Sequence, residues 1–159
     1  MWRRWTFLFI AAFVVAADQL SKSWIRANLL PGESFPEIGR FSITHVQNTG
    51  AAFGLFTNQA FLLTLIAIVG LVVILLFYRH LPQSYILSTI ALGLVFGGAL
   101  GNLIDRIRFG RVTDFILVRL WDDFYWPAFN IADSATTVGV IALIVFLLLG
   151  LTKKDGRTS

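Results

Sequence analysis

Cysteine is absent from this 159-residue chain, which removes disulfides, thiolate metal sites and a cysteine nucleophile together. Histidine is scarce as well. His45 and His80 lie far apart and outside any HExxH-like pattern, which argues against a catalytic zinc. Only 14% of the residues are charged while 57% are hydrophobic, a balance far too apolar for an ordinary soluble domain. The formal charge of +4 does not point to nucleic acid, because the basic residues form no stripe with interleaved stacking aromatics. Chemistry must therefore come from Asp, Lys, Ser, Arg or Asn.

What the chain has in quantity is long apolar runs. A bilayer core of roughly 30 Å needs about 20 helical residues. Four segments meet that length, approximately Trp5–Trp24, Ala60–Tyr78, Tyr85–Ile104 and Phe129–Leu151. The expected fold is an all-α membrane protein, a four-transmembrane-helix bundle forming one integral membrane domain over residues 1–159. The first span opens like a signal peptide but lacks a small-residue cleavage site, so it is expected to be retained. Both termini are placed in the cytoplasm by Arg3, Arg4, Arg79, Lys153, Lys154 and Arg157. The raw count does not decide this, since seven basic residues fall on the other side. The density of the six, in short tails and one short turn, does. Breakers at Pro31, Gly32 and Pro36 precede RFSITHV, whose alternation and β-branched residues suggest a strand, and RVTDFILVRLW offers another. A small extracytoplasmic β-sheet and loop region is therefore expected on the bundle. Gly93, Gly97 and Gly101 recur every fourth residue, a spacing that lets helix backbones approach closely in lipid.

Two aspartates carry the functional signal. Asp114 in VTDF and Asp133 in FNIADS each stand beside a long apolar helix near the same surface, where an ionisable group is costly and usually functional. Their structural alternatives are a solvated loop charge for Asp114 and, for Asn130 and Asp133, the N-cap and N3 positions of the fourth helix. Asp18 and Lys22 share a helix face at i,i+4, which is the spacing of a plain ion pair. Asn102 and Arg106 have the same spacing and can either bind peptide carbonyls or lipid phosphate or simply snorkel to the interface. Asn48 opens NTGAAFG, a small-residue turn that can leave backbone groups near a ligand or be an ordinary turn. Asp105, Asp122 and Asp123 read as surface or interfacial charges. A serine/lysine protease built on Ser21, Lys22 and Ser23 fails because sequence neighbours point to different helix faces.

Taken together, DQLSK (18–22), NTGAAFG (48–54), GGALGNLIDR (97–106), VTDF (112–115) and FNIADS (129–134) resemble lipoprotein signal peptidase, or signal peptidase II, in order, spacing and four-span layout. The resemblance implies an intramembrane aspartic endopeptidase of the bacterial cell membrane. Such an enzyme removes signal peptides from diacylglyceryl-modified prolipoproteins, cutting before the lipidated cysteine. It makes Asp114 and Asp133 the catalytic pair near the extracytoplasmic surface, and Asn48, Asn102, Arg106 and Asn130 the surround of the substrate and inhibitor site. Asp18 and Lys22 then belong to a supporting polar network, and globomycin, the family's cyclic peptide inhibitor, is expected in the same groove. Prolipoproteins and membrane lipids are the implied partners.

The pair's chemistry agrees with that resemblance, because two carboxylates sharing one site hold one proton between them and can act as base and acid. The main alternative is a small proton-coupled membrane transporter using the outer aspartates. A proton relay needs ionisable groups at several depths, and the middles of the four spans contain none. A noncatalytic assembly factor, with the carboxylates as caps and ion pairs, is the third reading.

Overall fold

The computed structural model describes residues 2–36, 39–50, 55, 56, 58–80, 86–121 and 124–155. Its elements are α1 (Trp2–Asn28), β1 (Ser34–Phe35), β2 (Phe41–Asn48), α2 (Ala60–His80), α3 (Ile86–Phe109), β3 (Val112–Trp121), β4 (Phe124–Phe129) and α4 (Ile131–Asp155). All four helices contain windows long and apolar enough to cross a membrane. They are outlined by the four expected spans and run two to five residues beyond them at most ends, while α3 and α4 begin one and two residues inside theirs. Expectations for the tip of the second outer loop at Asp122 and Asp123, and for Ala51 to Gly54, lie outside the described residues.

Helix α3 is the hub, packing against each of the other three helices. Its small residues are the reason. A Cβ added at Gly97 would sit 2.8 Å from Val14 Cβ and 2.9 Å from the Ala11 carbonyl oxygen, and one at Gly93 would press on Ile10. The Gly93-Gly97-Gly101 face thus receives α1. That helix turns toward the bundle a stripe of buried residues, Phe7, Ala11, Val14, Asp18, Lys22 and Ile25, at the spacing of one helical face. Gly98 faces the other way, where an added methyl would run into Thr136 Oγ1 and the Ala132 carbonyl of α4. Without a hydrophobic force between helices in lipid, this close backbone contact and its dispersion energy are what association rests on. Helix α2 is the outlier, burying only Leu63 and Leu71.

The sheet is an antiparallel meander in the order β1-β2-β3-β4. It is wider than the two strands read from sequence, with β1 and β4 added as its two edges. As the edge strand, β4 tolerates a proline that an inner strand would not. In the β2–β3 ladder Asn48 lies opposite Val112, so Asp114, two residues along, presents its side chain on the same face. A buried charge finds partners at the far end of the bundle too, where Arg3 donates from Nε to Thr89 Oγ1 at 2.7 Å and stacks over Tyr78.

Gly98→Ala is expected to lower the unfolding midpoint in detergent, at a cost of about 1–3 kcal/mol for overpacking against backbone that cannot yield. Gly70→Ala, whose added methyl meets nothing within 4 Å, should leave the midpoint unchanged or slightly raised.

Candidate active site

The amino end of α4 brings the site together. Asn130 is its N-cap, with Oδ1 accepting from the Asp133 N–H at 2.9 Å, and Asp133 Oδ2 accepts the Asn130 N–H in return at 3.1 Å. The capping geometry expected from FNIADS is therefore present. It also leaves Asp133 Oδ1 and the Asn130 amide nitrogen free to point inward. That nitrogen donates to Asp114 Oδ1 at 2.6 Å, so one residue bridges the two aspartates.

Each of the four carboxylate oxygens receives a donor. Asp114 Oδ2 accepts from Asn48 Nδ2 at 2.9 Å, and Asp133 Oδ1 from Asn102 Nδ2 at 2.8 Å. Asn48 is braced by its own Oδ1, which accepts the Gly50 N–H at 2.9 Å and closes the turn after β2. Asp114 is only 2% exposed, so the solvated-loop reading of it does not hold, whereas Asp133 stays half-buried on the groove wall. Burial first, and then the charge of Asp133, push the Asp114 carboxyl from an ordinary 3.8 up to about 7, against the pull of Asn48, Asn130 and Lys22.

The pair opens onto a groove of about 640 Å³ whose lining includes Asn48, Asn102, Arg106, Asp114 and Asp133. The half-buried Arg106 side chain reaches this groove from the α3 face opposite the glycine stripe. Away from the pair the groove continues between α2 and α4 over small side chains, Ala67, Ala99, Thr136 and Thr137. It is thus polar at one end and apolar along its length, which suits a ligand with a peptide end and a lipidic or helical remainder.

Behind the pair lies a second polar layer. Asp18, Lys22 and Asp105 are all 0% exposed. Lys22 Nζ stands 2.8 Å from Asp18 Oδ2 and 3.6 Å from Asp105 Oδ2, and it donates to Asn102 Oδ1 at 2.7 Å. Asp18 Oδ1 accepts the Ala132 N–H at 3.0 Å, so the same carboxylate that neutralises Lys22 also satisfies the start of α4. The expected Asp18–Lys22 ion pair is present, but it ties three helices together rather than decorating one.

Asp105 departs from expectation. Instead of an interfacial charge it is buried, accepting the Thr113 N–H at 3.0 Å on Oδ2 and facing Arg26 Nη1 at 3.5 Å and Gln19 Nε2 at 3.2 Å on Oδ1. Its position was legible, since it follows Gly97 and Gly101 by the same step of four and so shares the face that α1 covers. Gln19, Arg26 and Thr113 were not singled out from sequence. Gln19 and Thr113 carry no charge pattern, and Arg26 becomes meaningful only as the next turn after Asp18 and Lys22.

Four helices long and apolar enough to cross a membrane, with two donor-saturated carboxylates brought together at a groove, form a membrane protein with a candidate acid–base site. Residues 10–149 match the family model described as signal peptidase (SPase) II. The chain is 49% identical over 144 residues to the lipoprotein signal peptidase of Moorella thermoacetica, covering 90% of this chain and 93% of that protein. It is 44% identical over 163 residues to that of Dehalococcoides mccartyi, covering 100% and 98%. Among solved structures, a bacterial membrane enzyme determined by the in meso method at 2.3 Å resolution superposes with a TM-score of 0.86 at 38% identity, covering 94% of this chain and 91% of that one. A second, at 1.9 Å resolution, gives 0.80 at 40% identity, covering 90% and 92%. The chain belongs to the signal peptidase II family and is a peptidase.

Because the charge of Asp133 contributes to the high Asp114 value, Asp133→Asn should move Asp114's titration toward the acid side, read by its carboxyl stretch in infrared difference spectra. In the wild type, Asp114 holds its proton more tightly folded than unfolded. Its effect on stability therefore weakens the fold progressively as pH rises from about 4 to about 7, and a thermal-midpoint series in detergent should show that slope flattened in Asp114→Asn.

Proposed function

We propose that the chain is the intramembrane aspartic endopeptidase that removes signal peptides from diacylglyceryl-modified prolipoproteins, cleaving before the lipidated cysteine, with Asp114 and Asp133 as the catalytic pair. The observation that carries the assignment is the convergence of these two carboxylates, one from β3 and one from α4, bridged by Asn130 on the wall of the groove. Two carboxylates so placed share one proton. The ionised member takes a proton from water as the water oxygen bonds to the scissile carbonyl carbon, while the protonated member gives its proton to the carbonyl oxygen. In the collapse of the tetrahedral intermediate the C–N bond breaks, the leaving amine takes up a proton from the pair, and the new carboxyl group returns one.

Arg106 and the groove asparagines are suited to holding an extended peptide, Arg106 through a guanidinium that donates to carbonyls and phosphates alike. Globomycin should compete for the same space. The whole of residues 1–159 acts on this reading as one membrane domain, with both termini cytoplasmic and the aspartates near the extracytoplasmic surface of the bacterial cell membrane. Charge density supports that orientation. The inverted sheet, whose Ser42, Thr44 and His45 are buried while Phe41, Ile43 and Val46 are exposed, suits a sheet lying against lipid.

Purified wild type should cleave a diacylglyceryl prolipoprotein without added metal, and folded Asp114→Asn and Asp133→Asn should each lose at least about 10³-fold in kcat. Activity surviving either substitution would remove the dyad. The same preparation should cleave an unlipidated precursor far more slowly, because acyl chains anchor the scissile bond at the depth of the aspartates; equal rates would refute that dependence.

A further inference from the structure

Three asparagine amides face the aspartate pair, and each can present either its nitrogen or its oxygen. For two of them the backbone decides. The Gly50 N–H holds Asn48 Oδ1, and the Asp133 N–H holds Asn130 Oδ1, so in both cases the amide nitrogen is left facing Asp114. A peptide N–H can only donate, which makes the orientation obligatory. Among the described residues no backbone donor holds the oxygen of Asn102. What stands there is Lys22 Nζ at 2.7 Å, with the Asn130 amide nitrogen at 3.2 Å beside it.

An ammonium group also has donors only. We infer that Lys22 is a positioning residue for the aspartate pair: its buried ammonium fixes which end of the Asn102 amide faces Asp133, so that a donor and never a carbonyl oxygen meets the carboxylate. Asn102 Nδ2 then reaches Asp133 Oδ1 at 2.8 Å. The opposite orientation would set a carbonyl against Asp133 and an amide N–H₂ against a cation, in a layer where the Lys22 side chain has no access to water. Lys22 is itself held on its other sides by Asp18 and Asp105, and Asp105 by Arg26, so the ammonium cannot swing away. Its charge also favours the ionised form of Asp114. The inference rests on Asp114 and Asp133 being the catalytic pair, and it assigns Lys22 a role in the proton chemistry of that pair beyond neutralising Asp18.

The test uses the full chain in detergent with a diacylglyceryl prolipoprotein substrate, and wild type and Asp133→Asn are assayed in parallel. Lys22→Met is combined with Asp18→Asn, which keeps the layer's charge balance and retains an amide oxygen for the Ala132 N–H. This double variant should keep KM within about twofold and lose roughly 100-fold in kcat, the lower end of what a positioned acid–base pair supplies. The alkaline limb of its pH–rate profile should move up, because an ionised pair loses an assured donor while the lost Lys22 cation is offset by the lost Asp18 anion. Adding Asn102→Ala should cost little more, since Lys22 acts through that amide. Normal kcat with an unshifted limb, or a loss that is fully additive with Asn102→Ala, overturns the inference. If the charge-balanced protein does not fold, the same cycle is read with Lys22→Gln against Asn102→Ala, where additivity again refutes it and non-additivity with the shifted limb supports it. Wild-type cleavage by Asp133→Asn would instead sink the dyad itself, and the inference with it.

Discussion

A carboxylate next to hydrocarbon must be met by donors or it will not stay where it is, and most of this structure follows from that demand. Six polar residues, Asp18, Lys22, Asn102, Asp105, Asn130 and Asp114, are gathered at one end of an otherwise apolar bundle, with Asp133 at their edge. Every carboxylate in the group accepts from an amide, an ammonium, a guanidinium or a helix-terminal N–H. In a low-dielectric layer such a network stabilises only when it is complete, and a single missing donor leaves a buried charge costing several kcal/mol. The donors met by each carboxylate explain how two acids can be tolerated side by side at all.

Satisfying that layer requires backbones to come close. The glycines of α3 provide the approach, Gly97 toward α1 and Gly98 toward α4, and Gly101 puts the polar layer within reach of the same packing face: a methyl there would lie 2.7 Å from Asp18 Oδ2. Thus the residues that let three helices associate in lipid also set the distance at which Asp18 can cap α4 while pairing with Lys22. Packing and electrostatics are not separable in this protein. Helix α2, which shares little of this contact, instead borders the apolar length of the groove, where a substrate's hydrophobic portion can lie beside the chemistry.

The result is a centre held rigidly from behind and open in front. Asn130 serves at once as helix cap and as bridge between the aspartates, so the geometry of the pair is built from the ordinary termination of a helix. The sheet supplies the other half by placing Asp114 and Asn48 on one face of the β2–β3 ladder. A site assembled this way spends little conformational entropy when substrate arrives, because its donors are already aimed.

Much of this was readable in the chain itself. Hydropathy fixed the four spans to within a few residues, since about 20 predominantly apolar positions have no other economical home. The step-of-four recurrence of Gly93, Gly97 and Gly101 announced a close helix contact, and Asp114 and Asp133 stood out because an acid beside lipid is expensive. The alternation in RFSITHV announced β2. What remained illegible was partnership. Asp105 looked like a surface charge until α1 covered it, and β4 was hidden by a proline and aromatics that an edge strand accommodates. Gln19 and Thr113 gained a role only when α1, α3 and β3 met. Periodicity reports which face of an element is apolar, and composition reports where a charge is costly, because both are local properties. Which donor meets which carboxylate depends on residues up to 114 positions apart, as Asp18 and Ala132 are, and only the folded arrangement of the helices decides it.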